Sequence, residues 1–497
     1  MARGLARPAA RPLSVIAALP VAAAVVGALL TAPTAAAAAP AAPAGSTAYQ
    51  LGGSYEPRAA PQRILDTRAS GGALGSGQTR VVDPSPSGAV PATGVSAVVV
   101  NLTVTGPTAS GYLTAWAGGT RPTASSINFA RGWTRANLVT VPLDAGGNLR
   151  LFNSAGSTHV IVDVLGWYHA TGSVPTADQL GAAYYPDVPE RLYDSRQDVI
   201  VAPGEAFLIG IDFGDDAGAD ATDALALNLT AVTPQRGGYL TTWDGSGSAP
   251  TTSTLNYVQG RTVSNMAVVG TSLCDDGAGG AVTCFGVRNG SSGSMHVVVD
   301  YVGAYAASDG SGTRFRAVPP RRVLDSRNGT GTTVGPFTAR QTRTVSVPGT
   351  VAGASTVALA TNATLVAPSA GTYLTLWAGA GQARPATSSV NGDVAQTVAS
   401  AALPVVAGTA TGTTTFAVYN NAGSAHVLDD VVGTFDVEPS GERSARPASP
   451  TDPARPASPA GTADPAAERA AALSRFDPGA AVRLSPGAVR TSSRPGG

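Results

Sequence analysis

The sequence contains no lysine, so all 32 of its basic residues are arginine, and 32 acidic residues balance them. Only 13% of the residues are charged, and no run of five or more basic residues occurs. Nucleic-acid binding depends on clustered positive charge, because that charge releases the counterions of the phosphate backbone. The sequence therefore predicts no nucleic-acid partner.

Cysteine and histidine are almost as scarce, with two and four residues. Cys274 and Cys284 flank a Gly-rich and Asp-containing segment, which predicts a disulfide closing one β-hairpin in an oxidising compartment. This spacing excludes a CxxC zinc or redox site, and two thiolates alone make a poor metal site. No metal and no cofactor are predicted.

Catalytic motifs are also missing, since the sequence has no GxSxG, HExxH or Gly-Lys-Ser/Thr phosphate loop. Nearly every polar cluster occurs three times, whereas an active site is needed once. We therefore predict a protein that is not an enzyme. The alternative, a cell-wall or glycan hydrolase, requires a cleft with a matched acid and base in at least one unit.

The two ends of the chain differ from the rest in composition. Early arginines, an apolar stretch and a small-residue zone give residues 1–39 the layout of a signal peptide, followed by a linker at 40–54. We expect the mature protein to be extracellular, either free or associated with the cell surface, without a membrane span. Residues 438–497 are rich in Pro, Ala, Ser and Arg and predict a disordered tail.

Between these ends the chain repeats itself three times. An opening signature, Arg followed by two apolar residues, Asp, Thr or Ser, and Arg, starts at Arg63, Arg191 and Arg322. Each copy continues with an apolar strand around one Asn, a Tyr-Leu-Thr-x-Trp strand, and a closing His-x-x-x-Asp strand followed by Gly and an aromatic residue. Short β-branched runs and period-two alternation predict antiparallel strands throughout.

A unit of this length can bury a core of its own. We predict an all-β protein of three tandem antiparallel β-sandwich-like domains, at 55–169, 184–306 and 315–437. One pseudo-three-fold β assembly is the alternative.

The opening Asp and Arg and the closing His and Asp are predicted to form a structural clasp in each unit. Four strand residues separate His from Asp by ~13 Å, so the pair cannot share one metal ion. Opening and closing motifs meet where domain termini are adjacent, and we expect the closing side chains to bond to loop backbone. On this hypothesis, Asp66→Ala unfolds the first unit. The clasp residues are Asp66, Arg68, His159 and Asp163, then Asp194, Arg196, His296 and Asp300, then Asp325, Arg327, His426 and Asp430.

The Tyr-Leu-Thr-x-Trp strand places an aromatic stripe on one strand face, next to an Asn further along the chain. Flat aromatic faces stack on sugar rings, although a repeated large aromatic residue is often part of the core. We predict an extracellular binding or adhesion protein for polysaccharide or cell-wall glycan, with a structural spacer or display protein as the alternative. The candidate binding residues are Tyr112, Trp116, Asn128, Tyr239, Trp243, Asn256, Tyr373, Trp377 and Asn391.

Five aspartates between Asp212 and Asp223 are concentrated in the second unit alone. Carboxylates at this density suit calcium, but their spacing matches no known calcium loop, so a solvated acidic loop is the favoured interpretation.

In their sequence motifs, the three units resemble the repeats with an LDTR-type opening, a GYLT strand and a HxxxD closing strand found in secreted actinobacterial proteins. Such repeats often accompany cell-wall hydrolases. The resemblance spans all three units and implies secretion and an accessory role, but it assigns no activity to any residue.

Overall fold

A computed structural model describes residues 53–170, 181–214, 222–278, 280–307, 312–408 and 412–437, with residues 478–479, 481–485 and 488 of the C-terminal segment. The expected signal peptide, almost all of the linker and most of the tail lie outside these residues. The first unit contains β1 (Tyr55–Asp66), β2 (Thr79–Val82), β3 (Val95–Thr105), β4 (Gly111–Trp116), β5 (Ile127–Phe129), β6 (Arg135–Pro142), β7 (Leu149–Asn153) and β8 (His159–His169).

The second and third units repeat this order with small additions. The second contains β9 (Ala183–Asp194), β10 (Ala206–Ile211), β11 (Thr222–Val232), β12 (Gly238–Trp243), β13 (Leu255–Tyr257), β14 (Val263–Gly270), β15 (Ser272–Asp275), β16 (Ala281–Asn289) and β17 (His296–Ala306). The third contains β18 (Thr313–Asp325), β19 (Gln341–Val347), β20 (Thr356–Val366), β21 (Thr372–Trp377), β22 (Val390–Gly392), β23 (Val398–Ala402), β24 (Ala407–Gly408), β25 (Thr414–Asn420) and β26 (His426–Val437).

Each unit packs an inner antiparallel sheet against an outer one. In the first unit the inner sheet has the order β1-β8-β3-β6 and the outer sheet the order β2-β7-β4-β5. The two kinds of strand differ in pattern: β3 reads as an almost unbroken buried run, whereas β7 alternates buried and half-buried residues. An unbroken run is expected where both faces of a strand are covered, so the inner sheet has a second core behind it.

That second core lies where the three units meet. Val98 and Val100 of β3 face the sandwich core of the first unit, whereas Ala97 and Val99 join residues of all three units in a shared central cluster. The inner sheets of the second and third units also continue into each other through β9 and β18, at the pair Thr313 and Tyr184. The units therefore form one assembly with a common interior.

Six aromatic rings occupy this interior, one from the first and one from the last strand of each unit: Tyr55, Tyr168, Tyr184, Tyr305, Phe315 and Phe435. The Tyr168 and Phe315 rings stack with centroids 4.0 Å apart, and the hydroxyls of Tyr168 and Tyr305 are 2.6 Å apart. The glycine of each closing motif makes room for these rings, since a Cβ on Gly433 would lie 2.1 Å from the Phe315 ring.

The structure confirms the predicted all-β class with antiparallel, sandwich-like units. The common interior corresponds to the pseudo-three-fold alternative rather than to three separate domains. Among the described residues there is no α-helix, and no helix is long and apolar enough to cross a membrane.

The prediction of a wholly disordered tail is wrong for four residues. Strand β27 (Ala481–Leu484) pairs antiparallel with β10 and extends the outer sheet of the second unit. An apolar residue on each side of Arg483 gives this segment the alternation of a strand, which the Pro- and Ala-rich composition around it obscures.

Candidate functional site

In each unit the opening and closing motifs are joined by an arginine that the clasp prediction did not include. Arg63 donates from Nε and Nη2 to the two carboxylate oxygens of Asp163, at 2.8 and 3.1 Å, and from Nη1 to Asp66 at 3.3 Å. Arg322 bonds to Asp430 and Asp325 in the same way. These arginines begin the opening signatures, so their fixed place in the repeat was the available signal.

The opening Asp is held by a local turn. Asp66 Oδ1 accepts from the backbone N–H and Nε of Arg68, at 3.0 and 2.9 Å, and Oδ2 accepts from Nη2 at 2.6 Å. The hydrogen bond from Arg68 lowers the pKa of Asp66 to about 2, and the same arrangement lowers the pKa of Asp194 and Asp325 to about 2. The closing Asp163 behaves oppositely, because burial raises its pKa above the usual value.

The closing His and Asp bond to side chains, not to the loop backbone that we expected. His159 Nδ1 lies 3.2 Å from Thr67 Oγ1, and His296 Nδ1 lies 3.0 Å from Ser195 Oγ. The Ser195 hydroxyl also accepts the backbone N–H of Val297 at 2.9 Å and is fully buried. The reason is the antiparallel pairing of the first and last strands, which brings the opening hydroxyl level with the closing His. A hydroxyl in this place is not accessible to a substrate.

The assignment of Trp116, Trp243 and Trp377 to a binding surface needs correction. Their exposed fractions are 5, 3 and 5%, and the loop after each Trp strand is fastened to that face of the strand. The central Thr of each strand anchors the loop: Thr114, Thr241 and Thr375 donate to the carbonyls of Ala124, Thr252 and Thr387 at 2.7 to 2.9 Å. The tryptophans are buried, as the alternative interpretation held, but Trp243 and Trp377 belong to small clusters outside the sandwich cores.

The tyrosines and asparagines of the candidate set are half-buried and lie opposite each other. Tyr112 pairs with Asn128 across β4 and β5, and the other two units repeat the pair as Tyr239 with Asn256 and Tyr373 with Asn391. Two of the asparagines, Asn256 and Asn391, line a pocket where the three units meet.

This junction pocket has a cavity volume of about 20 Å³ and receives residues from each unit. The first unit contributes Trp133 and Arg135, the second Asn256 and Arg261, and the third Asn391 and Asp393. Arg261 forms an ion pair with Asp393 at 2.7 Å and lies over the Trp133 ring at 4.7 Å. The site needs all three units, because no single one supplies both the cations and the two amides.

Arg135 is the unusual member of this pocket. Only 8% of its surface is exposed, and no described residue accepts a hydrogen bond from its Nε. Burial lowers the pKa of Arg135 to about 10, so the guanidinium remains charged at neutral pH. A buried cation without a direct partner is energetically unfavourable, and it favours an anion within reach. Sequence reasoning missed Arg135 because the equivalent residues are Val263 and Val398, outside every repeated motif.

A ring of asparagines holds the three units together around the pocket. Asn101, Asn228 and Asn362 each donate Nδ2 to a backbone carbonyl of the next unit, those of Ser253, Ser388 and Ser125. The same three serines contact Asn256, Asn391 and Asn128 through their hydroxyls. Each pocket asparagine therefore contacts a serine of its own unit, and the neighbouring unit holds the carbonyl of that serine.

A second set of hydrogen bonds, from one asparagine side chain to another, joins the units at two of the three junctions. Asn265 donates to Asn101 Oδ1 at 3.2 Å, and Asn137 donates to Asn362 Oδ1 at 2.9 Å. The third equivalent position is Ser400, and Asn228 Oδ1 is buried without a hydrogen-bond partner among the described residues. A pocket with a cavity volume of about 20 Å³ lies beside it, lined in part by Asn228, Asp300 and Ser388.

One ionisable residue lies inside a sandwich core. Asp429 occupies the place that Val162 and Val299 take in the other two units, and it is fully buried between the core residues Val427 and Val431. Burial raises the pKa of Asp429 to about 8. An aspartate here has no counterpart in the other units.

The predicted disulfide is confirmed: Cys274 and Cys284 are bonded, with Cα atoms 5.8 Å apart, and join β15 to β16. Of the five clustered aspartates, Asp215, Asp216 and Asp220 lie outside the described residues. Within the described ranges no group of three or more His, Cys, Asp or Glu side chains is placed to hold a metal ion.

Comparisons with known proteins add little to this picture. No protein-family model matches the chain, and no curated protein matches its sequence. Among solved structures, a chain from "The Triple Jelly Roll Fold and Turret Assembly in an Archaeal Virus" aligns with 78% of this chain and 91% of its own length, at 8% identity and a TM-score of 0.15. A chain from "Life in the extremes: atomic structure of Sulfolobus Turreted Icosahedral Virus" aligns with 77% and 90%, at 9% identity and a TM-score of 0.16. Alignments with such scores carry no argument about function.

Proposed function

We propose that the protein is a secreted, non-catalytic binding or adhesion protein of the extracellular space, and that it binds a polysaccharide or cell-wall glycan carrying carboxylate groups. The observation that supports this proposal is the junction pocket, which the buried Arg135 lines together with Asn256 and Asn391. The signal-peptide pattern and the resemblance to secreted repeats support the location.

The chemistry of the pocket suits an acidic sugar. A guanidinium binds a carboxylate through charge-assisted hydrogen bonds, while carboxamides donate to and accept from sugar hydroxyls. Taking Arg135, Arg261 and Asp393 together, the pocket carries one net positive charge. A ligand with one carboxylate neutralises this net charge, whereas a neutral glycan does not.

Binding and stability are expected to respond in opposite directions when Arg135 is replaced. Arg135→Met removes a buried charge that has no partner, so it is expected to raise the free energy of unfolding by about 1 kcal/mol or more. The same change removes the anion-binding group. A variant that is more stable and binds less separates a ligand role from a structural one.

The proposal is tested by retention of the protein on peptidoglycan, which carries carboxylates, and on chitin and cellulose, which do not. We expect retention on peptidoglycan only, with loss in Arg135→Met and in the double variant Asn256→Ala/Asn391→Ala. Arg131→Met, which changes an exposed arginine nearby, is the control. Equal retention of Arg135→Met and the unaltered protein contradicts the proposal.

A structural spacer or display role is the second candidate, supported by the asparagine ring and the common interior, which make the three units one body. Such a protein is retained on none of the three polymers.

A further inference from the structure

Strand β27 is a short segment far from the units in sequence, yet it occupies a defined place on the second unit. It pairs with β10 over four residues, from Leu208 with Leu484 to Ile211 with Ala481. The equivalent edge strands β2 and β19 have no added strand among the described residues. Addition of an extended segment to a sheet edge is a common mode of peptide recognition, in which side-chain pockets supply the specificity.

Arg483 is the residue that such a pocket holds here. Its guanidinium bonds to Glu205 and to the hydroxyl of Tyr193 at 3.2 Å, lies 3.8 Å from an oxygen of Asp198, and stacks 4.1 Å from the centre of the Phe207 ring. Only 19% of the Arg483 side chain is exposed. Two acids, a phenol and an aromatic face thus surround one cation.

The other two units show that this is a guanidinium site of the fold. In the first unit Arg80 of β2 donates to the carbonyls of Gly71 and Gly72, and in the third Arg343 of β19 donates to that of Gly335. Gly72, Gly335 and Val199 are equivalent positions, and Arg483 donates to Val199 at 3.3 Å. An arginine occupies the site in every unit, but in the second it comes from the C-terminal segment.

The second unit differs from the other two in the residues that allow Arg483 to enter this site. Phe207 stands where the other units have Arg80 and Arg343, so the site has no arginine of its own. Glu205 stands where they have Gln78 and Gln341, which adds a negative charge. All three of these residues also accept a backbone N–H in the preceding turn, so the change to Glu preserves the local fold and adds the charge.

The opposite face of β27 has a matching apolar contact. Leu484 packs against a cluster that contains Leu208, Trp243 and the Cys274–Cys284 disulfide. Gly210 allows this approach, because a Cβ there would lie 2.7 Å from the Leu484 side chain. The disulfide hairpin belongs to the second unit, and the five buried residues of the cluster around it come from that unit.

We propose that the outer-sheet edge of the second unit is a binding site for an extended peptide that carries Arg followed by an apolar residue, and that the protein's own C-terminal segment occupies it. The site is distinct from the junction pocket and independent of the proposed glycan function. Its recognition elements are the β10 edge, the acids Glu205 and Asp198, and the apolar cluster that receives Leu484.

The intervening chain makes self-occupancy the favoured state. Residues 438–480 connect the third unit to β27. A covalent tether keeps a bound segment close to its site, which gives an effective local concentration on the order of millimolar. A peptide added in solution therefore competes poorly with the tethered segment and binds well only when that segment is weakened.

The experiment uses the full-length protein and a fluorescent peptide of residues 478–488. In the double variant Arg483→Ala/Leu484→Ala the tethered segment has lost both anchors, so we expect the peptide to bind this variant at least tenfold more tightly than it binds the unaltered protein. A peptide with Glu at the Arg483 position is expected not to bind. Anisotropy of the labelled peptide measures each affinity.

Two further variants locate the site. The first adds Glu205→Gln to the double variant Arg483→Ala/Leu484→Ala, here called the opened variant. This change retains the hydrogen bond to the turn and removes only the charge, so we expect at least a tenfold loss of peptide affinity. Gln341→Glu, the mirror change in the third unit, leaves the affinity unchanged because Arg343 already fills that site. Absence of peptide binding to the opened variant, equal binding to the unaltered protein, or insensitivity to Glu205→Gln each overturns the proposal.

Discussion

Asn137 in the first unit donates its amide to Oδ1 of Asn362 in the third, 225 residues away in the chain and 2.9 Å away in space. The equivalent donor from the second unit to the first is Asn265, but the donor from the third to the second is missing because position 400 is serine. We expect Ser400→Asn to complete the ring by donating to Asn228 Oδ1. The free energy of unfolding should increase by about 1 kcal/mol, the typical value of a buried hydrogen bond.

Urea unfolding of Ser400→Asn beside Ser400→Ala measures this gain. The alanine variant separates the new amide from mere loss of the hydroxyl. A decrease in stability for Ser400→Asn would mean that the neighbouring pocket does not admit the amide.

The ion pair between Arg63 and Asp163 is expected to dominate the stability of the clasp in the first unit. The Asp163 side chain is 1% exposed, and its removal leaves Arg63 without its bidentate partner, so Asp163→Ala should cost about 3 kcal/mol. Arg68 is half-exposed, and Arg68→Ala should cost less than about 1 kcal/mol. Chemical denaturation compares the two variants. A larger loss for Arg68→Ala would assign the clasp to the local turn instead.

Acid should destabilise the protein through its opening aspartates. Hydrogen bonds from Arg68, Arg196 and Arg327 lower the pKa of their aspartates to about 2, below the ordinary value of 3.8. Protons therefore bind the unfolded chain first, so this stabilisation is complete above about pH 4 and is lost as the pH falls towards 2. Melting temperatures between pH 5 and pH 2 should show the loss, with a shallower decline in Arg68→Gln. An identical decline in that variant would assign the acid sensitivity to other groups.

Asp429 should act in the opposite direction and over a different pH range. Its pKa of about 8 in the folded protein exceeds the ordinary 3.8, so the folded state holds the proton that the unfolded chain releases. The resulting contribution is favourable below about pH 4 and is lost as the pH rises towards 8. We expect Asp429→Val to restore the residue type of the other units and to increase stability at pH 8 by several kcal/mol.

Melting curves of Asp429→Val between pH 4 and pH 8 test this directly. The difference from the unaltered protein should widen with pH. Asp429→Asn is the isosteric control, with no charge and therefore less pH dependence. A constant difference across the range would show that Asp429 does not titrate in the core.

The repeat predicted most of the architecture because every strand carries its pattern in its own residues. The alternation of β7 and the unbroken apolar run of β3 indicate antiparallel strands and a buried inner sheet. The tryptophans were ambiguous because a pattern of period two shows that residues share a face but not what covers that face. The covering loop is held by a threonine hydroxyl and a loop carbonyl, and neither has a sequence pattern of its own.

The junction pocket and the docked C-terminal strand could not be found from the repeat, because both depend on where the copies differ. Arg135 replaces a valine position, Phe207 replaces an arginine, and Glu205 replaces a glutamine. The residues that the three copies share mainly build the fold. The positions that break the three-fold pattern are the better guide to function.

The asparagine ring also limits how the number of repeat units can change in evolution. Each unit donates to the next, and the third donates back to the first through Asn362 and Ser125, so the cycle is closed at three members. Linear repeat proteins gain or lose copies and keep their contacts, because each copy touches only its neighbours in sequence. Here a fourth copy would find no free partner and a lost copy would expose the common interior. Duplication of such a sequence is therefore expected to add all three units together rather than a single unit.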